Sequence, residues 1–217
     1  GQLFIDHPGM GWHSRPFGHP GIDRRGFNAA LNFFYIHELD AQADLLEYMG
    51  NKARAVRLRQ QANGVRQAAE RHFYNPAETA YVDGWLDGKQ STQISQQTNA
   101  LAVTSGTCPP DRARKVLKRV LKRPGEEIPL CLAGTYFWTY LADALCKAGM
   151  YAEMWREVVH LWNDMAERGA TSWWETFMGD ELDSLCHIWS AVPGYLALAE
   201  ILGIQPAEPG FRSIRIR

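Results

Sequence analysis

An all-α fold, an array of paired antiparallel helices, is what this sequence predicts. Three observations point there. Apolar residues recur at spacings of three and four along most of the 217 residues. Glycine and proline punctuate those runs at helix-length intervals. Strand-like alternation is almost absent before residues 210–217.

Residues 1–22, which contain HPGMGWHSRPFGHPG, show no usable period and read as an irregular loop. The first helix is expected from Asp23 as N-cap, on the series Phe27, Leu31, Phe34, Tyr35, Leu45, Leu46 and Met49, ending at Gly50. Lys52 to Phe73 carries Ala55, Leu58, Ala62, Val65 and Ala69 on one face and completes a hairpin. Asn75-Pro76 closes it. Ala80 to Trp85 reads as a short extended piece with a turn at Asp87-Gly88. Gln93 to Thr104, made of small and apolar residues, suits an inner helix, and Pro109-Pro110 opens a basic helix that stops near Arg123-Pro124-Gly125.

A third hairpin joins Gly134–Ala148, with Tyr136, Phe137, Tyr140 and Leu141, to Tyr151–Arg168, with Trp155, Val158 and Trp162. A seventh helix is expected from about Leu185 to Leu202. The final Gly210 to Arg217 alternates with period two and reads as one strand with no partner. Long irregular connections at 1–22, 74–92, 124–133 and 169–184 precede every inner helix. They are expected to gather on one rim, where long connections are usually functional.

Composition narrows the function. With 23 basic and 24 acidic residues the net charge is −1, so the excess positive charge of a nucleic-acid binder is missing. The basic run at 112–123 alternates with apolar residues at helical spacing and reads as a solvated helix face. The four cysteines, Cys108, Cys131, Cys146 and Cys186, lie far apart without zinc-site spacing and are expected to be free thiols. No uninterrupted apolar stretch of about 18 residues exists to cross a membrane. The opening GQLFIDHPGMGW has no signal-peptide regions, and no localisation follows.

Chemistry concentrates in Gly169 to Phe177, GATSWWETF. Glu175 directly follows Trp173 and Trp174 there. A carboxylate beside indole faces is what a sugar-cleaving site requires: the aromatic wall stacks on the ring while the acid group moves a proton. His187, twelve residues on, opens the next predicted helix and is a second candidate. The plainer alternative makes both tryptophans core packing, Glu175 a solvated charge and His187 a satisfied core histidine. Asp6 and Trp12 on the first loop are candidates for hydroxyl binding and ring stacking, and Trp85 for stacking. No metal cluster, phosphate-cradling loop or Ser/His/Asp order stands out; no cofactor is implied.

GATSWWETF, followed by SLCHIWSAVPGYLALAEILGI and GFRSIRIR, resembles the C-terminal part of the catalytic domain of α-L-rhamnosidases, glycoside hydrolase family 78, of the six-hairpin group. LFIDHPG resembles a strand-and-loop segment of that family, and SQQTNALAV its Gln-Thr helix. The resemblance implies an (α/α)6-barrel type of fold and inverting hydrolysis of terminal α-L-rhamnosides. Glu175 maps onto the general base, and His187 onto a sugar-binding histidine. Asp6 is followed by His7 where the family commonly has tryptophan, with Trp12 near enough to substitute.

The acidic motif that carries the family's general acid has no counterpart here. Asp180, Glu181 and Asp183 are candidates to replace it, but acids ahead of a helix usually serve as caps or favour its N-terminal dipole. Seven helices and the final strand suggest about half of a barrel, residues 1–205, followed by a linker and the first strand of a β-sandwich over 206–217. The isolated chain is then expected to be inactive, and to dimerise so as to cover exposed apolar helix faces. Two other functions compete: a non-catalytic carbohydrate-binding relative, and a helical-hairpin protein-interaction module. The absence of a fixed-period repeat speaks against the latter.

Overall fold

The computed structural model of the chain describes residues 22–121, 130–179 and 183–216. The chain divides into two compact units, one ending at Ala133 and the other beginning at Gly134. Each is built on helical hairpins.

In the first unit, α1 (Ala29–Tyr48) packs along α2 (Lys52–Phe73). Gly50 turns the chain between them at a φ of 84°, which costs a residue without Cβ nothing. Asn51 then caps α2 by accepting from the Arg54 amide. The second helix has its expected bounds; the first does not. Gly26 sits at φ 63°, and a Cβ there would lie 2.4 Å from the Trp85 carbonyl oxygen. That close approach lets β1 (Phe27–Asn28) pair with β4 (Gly84–Leu86), so the helix starts only at Ala29, with Asn28 accepting from the Leu31 amide at 3.0 Å. Asp23 is not the cap. Its carboxylate takes the Arg25 guanidinium through two bonds of 2.9 Å and the Ser91 hydroxyl at 2.7 Å, a local alternative that outcompetes capping.

The 74–92 connection is a set of short strands. β2 (Tyr74–Asn75) pairs with β3 (Ala80–Tyr81), and β4 with β5 (Lys89–Gln90). The expected turn at Asp87-Gly88 is present, both residues at positive φ, as a two-residue hairpin loop demands. β6 (Ile94–Ser95) leads into α3 (Gln96–Thr104) and runs parallel to β7 (Leu130–Cys131). The residues of α3 are buried from Gln96 through Val103, as an inner helix should be. Its polar side chains therefore bond to neighbouring backbone: Gln96 to the Val120 carbonyl and Ala133 amide, Gln97 to the Leu132 carbonyl, Asn99 to both polar groups of Tyr81. Packed on α3 is α4 (Pro110–Val120), which buries Ala113, Val116, Leu117 and Val120. Phe33 meets Phe73 and Tyr81 edge-on at 6.2 and 5.8 Å; burial of such a ring contributes roughly 1.5–3 kcal/mol.

Asp83 lies fully buried among these elements and accepts from Ser95 Oγ at 2.6 Å, Thr98 Oγ1 at 2.7 Å and the Asp23 amide at 3.3 Å. Burial dominates, pushing its pKa up to about 7, whereas the Arg25 hydrogen bonds hold Asp23 down at about 2.

The second unit pairs α5 (Trp138–Lys147) with α6 (Tyr151–Glu167) around Phe137, Leu141, Leu145, Met154 and Trp162. The expected seventh helix over 185–202 is instead several pieces. Ser184 to His187 is not helical, Ile188–Ser190 forms a 3₁₀ turn, and α7 (Val192–Leu196) passes directly into a π turn at Ala197–Ile201. Pro193 explains the late start, since proline belongs in a first turn and excludes helix upstream. The final strand does have a partner: β8 (Ile204–Pro206) pairs antiparallel with β9 (Ile214–Ile216). No helix among the described residues is long and apolar enough to cross a membrane.

Candidate active site

In the second unit, the segment after α6 comes back alongside residues 184–187. The Glu175 amide donates to the Ser184 carbonyl at 2.8 Å, and the His187 amide to the Trp173 carbonyl at 2.8 Å. These rungs bring together two residues that lie twelve apart in sequence. Glu175 Oε2 accepts from the Ser184 amide at 3.1 Å and lies 3.8 Å from His187 Nδ1, beyond a direct hydrogen bond. Both side chains are partly open, 21% for Glu175 and 29% for His187. Neither is a fully solvated charge, nor a core residue.

The Glu175 main chain is held as firmly as its carboxylate. Its carbonyl accepts from the Thr135 hydroxyl and from Trp189 Nε1, the latter at 3.3 Å. The Trp189 indole lies against the His187 ring at 4.0 Å between centroids, tilted by 32°, and against Tyr136 at 5.7 Å. Tyr136 and Tyr140 bring their hydroxyls within 3.3 Å. The result is a partly exposed carboxylate and imidazole bordered by an indole and a phenol.

The two adjacent tryptophans do different things. Trp174 is buried, 9% exposed. The Arg168 guanidinium covers its ring at 4.7 Å, and Gly179 lies so close that a Cβ would stand 2.0 Å from a ring carbon. Arg168 also donates to the carbonyls of Phe177 and Met178. Trp174 thus packs as a wedge beneath the loop. Trp173 stays half-buried.

Trp85 lies in the first unit. It lines a groove of about 500 Å³ with Phe27, Asn32, Gln61 and His72, the imidazole meeting the indole edge-on at 4.8 Å. Asp6, Trp12, Asp180 and Glu181 fall outside the described residues. The buried side chains of Gln97 and Thr98 donate to the Leu132 carbonyl and to Asp83 Oδ1. The cysteines carry no disulfide, and Cys186, next to His187, is the exposed one. Among the described residues no group of three His, Cys, Asp or Glu side chains is arranged to hold a metal.

Sequence reading passed over Trp189, Thr135 and Ser184. Trp189 had a usable signal. On a continuous helix, positions 187 and 189 would point in nearly opposite directions; once Pro193 is allowed to delay the helix, the two rings can face each other.

Solved structures share this fold. The family 78 rhamnosidase of Bacillus sp. GL1 superposes on 87% of the chain with a TM-score of 0.75 at 24% identity. A rhamnosidase from Klebsiella oxytoca with rhamnose bound matches 85% with a TM-score of 0.68 at 21% identity. The α-L-rhamnosidase of Dictyoglumus thermophilum matches 84%, with a TM-score of 0.64 at 22% identity. The chain spans 21%, 38% and 20% of those three chains. Among curated proteins nothing matches. The fold is thus that of a glycosidase domain built from helical hairpins. Residues 12–201 match the bacterial alpha-L-rhamnosidase six-hairpin glycosidase domain, and the chain belongs to that family.

Proposed function

We propose that this chain supplies the general-base side of an inverting α-L-rhamnosidase, with Glu175 as the base. One observation carries the reading. Glu175 is a partly open carboxylate oriented by a backbone amide through Oε2, with an imidazole 3.8 Å away and aromatic rings beyond it. Oε1 takes no part in that amide bond and is the oxygen assigned to the water.

In this mechanism Glu175 removes a proton from water as the oxygen attacks the anomeric carbon. A second carboxyl group, about 6.5–9.5 Å away, protonates the leaving oxygen on the opposite face. His187 hydrogen-bonds a sugar hydroxyl. Trp173 and Trp189, both half-buried, are the tryptophans assigned to the sugar, whereas Trp174 supports the loop. Family membership and the rhamnose-bound Klebsiella oxytoca neighbour support a terminal rhamnoside as substrate. Asp6, Trp12 and Trp85 stay as sugar-contact proposals. The general acid is proposed to come from residues other than those of this sequence, so turnover is to be measured in the complete protein.

Glu175→Gln in the complete protein is expected to abolish hydrolysis of an aryl α-L-rhamnoside while rhamnose binding, read by calorimetry, persists. Unimpaired turnover would remove Glu175 from the mechanism. Proton NMR of the first-formed sugar tests inversion, because retention of the anomeric configuration requires a nucleophile in place of the base.

A further inference from the structure

We infer that Asp183 is a positioning residue for Glu175, setting the base by clamping the loop that carries it; this rests on the reading of Glu175 as general base. Asp183 Oδ2 accepts from two donors on the opposite strand of the loop, the Thr176 hydroxyl and the Gly179 amide at 3.0 Å. The Thr176 oxygen in turn accepts from the Met178 amide at 3.1 Å. One carboxylate oxygen thus fastens the chain to a turn that is itself fixed from the other side, where Arg168 grips the carbonyls of Phe177 and Met178 and Trp174 packs against Gly179.

Sequence adjacency turns this clamp into a device acting on the base. Thr176 follows Glu175, and Ser184 follows Asp183. The Thr176–Asp183 contact is therefore the rung next to the one in which Ser184 exchanges its carbonyl and amide with the Glu175 amide and Oε2. Releasing Asp183 frees the peptide whose N–H aims the carboxylate. Thr176 is buried, 2% exposed, so its hydroxyl depends on Asp183 for an acceptor. Asp183 is an acceptor in both contacts, a role that an amide oxygen fills as well. That separates a clamp from a substitute general acid, which must deliver a proton.

The test uses the complete protein with an aryl α-L-rhamnoside. Asp183→Ala is expected to lower kcat on the order of 10- to 100-fold with KM little changed, the consequence of misplacing a reacting group by about 1 Å. Asp183→Asn keeps an acceptor oxygen and is expected to recover most of that loss. Thr176→Val should resemble Asp183→Ala, and Thr176→Ser should resemble wild type. The inference is overturned if Asp183→Ala turns over as wild type, if KM rises with kcat intact, or if Asp183→Asn is as impaired as the alanine variant. If Asp183→Ala does not fold, judged by its near-ultraviolet circular dichroism, the Thr176 pair decides the same question from the other end. Glu175→Gln run in parallel separates the layers. A dead Glu175→Gln beside a fully active Asp183→Ala sinks the clamp alone; an active Glu175→Gln sinks the base assignment and the clamp together.

Discussion

Burial and hydrogen bonding pull the Asp83 carboxyl in opposite directions. Three donors favour its ionised form, yet complete exclusion from water pushes its pKa up to about 7 from 3.8. The folded chain then binds more protons at this site than the unfolded chain between those two values, so the site lowers stability as pH rises through that window. Asp23 works the other way. Held at about 2 by Arg25, it stabilises the fold above pH 3.8 and loses that contribution as pH falls toward 2. Asp83→Asn, neutral at every pH, is expected to flatten the decline, bringing the melting temperature at pH 8 closer to that at pH 5. A variant whose melting temperature falls with pH as steeply as wild type's would contradict this. The same attention to single side chains separates Trp174 from Trp173: one has its ring covered by Arg168 and Gly179, the other stays half-exposed.

Among the elements, the 174–179 loop shows how packing dictates a residue type. Gly179 adopts φ 58°, which strains any residue with a Cβ, and that Cβ would overlap the Trp174 ring unless the buried indole shifts. Gly179→Ala is expected to destabilise the protein by about 1–3 kcal/mol in chemical denaturation, and to reduce kcat together with stability because the loop carries Glu175. Stability equal to wild type would show that Trp174 can move aside. Helix limits were legible where local chemistry was undisputed: α2 runs from Lys52 to Phe73 as its apolar period and flanking Gly50 and Asn75-Pro76 require. They were misread at Asp23, where an arginine two residues away offered a better partner, and at Leu185, where the apolar period continued but Pro193 forbade the helix it suggested.

For the molecule as a whole, family membership defines a glycosidase domain, while the solved relatives are several times longer than the stretch this chain matches. The isolated 217-residue chain is expected to show no rhamnoside turnover under conditions where the complete protein is active; measurable turnover by the isolated chain would place the acid within it. The second unit exposes the apolar side chains of Leu198, Leu202, Phe211 and Ile216, and apolar surface of this kind favours association where it is contiguous. Self-association of the isolated chain is therefore expected in sedimentation velocity, and a monodisperse monomer at high concentration would speak against it.

Hairpin order, the inner character of α3 and the Asp87-Gly88 turn are readable from residue order, because periodicity, turn chemistry and helix stops act over a few neighbours. Folding alone revealed which tryptophan is wedge and which stays half-buried, that Trp189 stacks on His187, that the Ser184 amide holds the Glu175 carboxylate, and that Asp183 binds Thr176 and Gly179 beside it. The contacts of Asp183 with Thr176, of Ser184 with Glu175 and of Trp189 with Glu175 span 7, 9 and 14 positions across a loop, whereas the stacked His187 and Trp189 are near neighbours. Apart from the Pro193 signal for Trp189, no spacing rule anticipates them, since the longer contacts exist only once the chain has doubled back and excluded water.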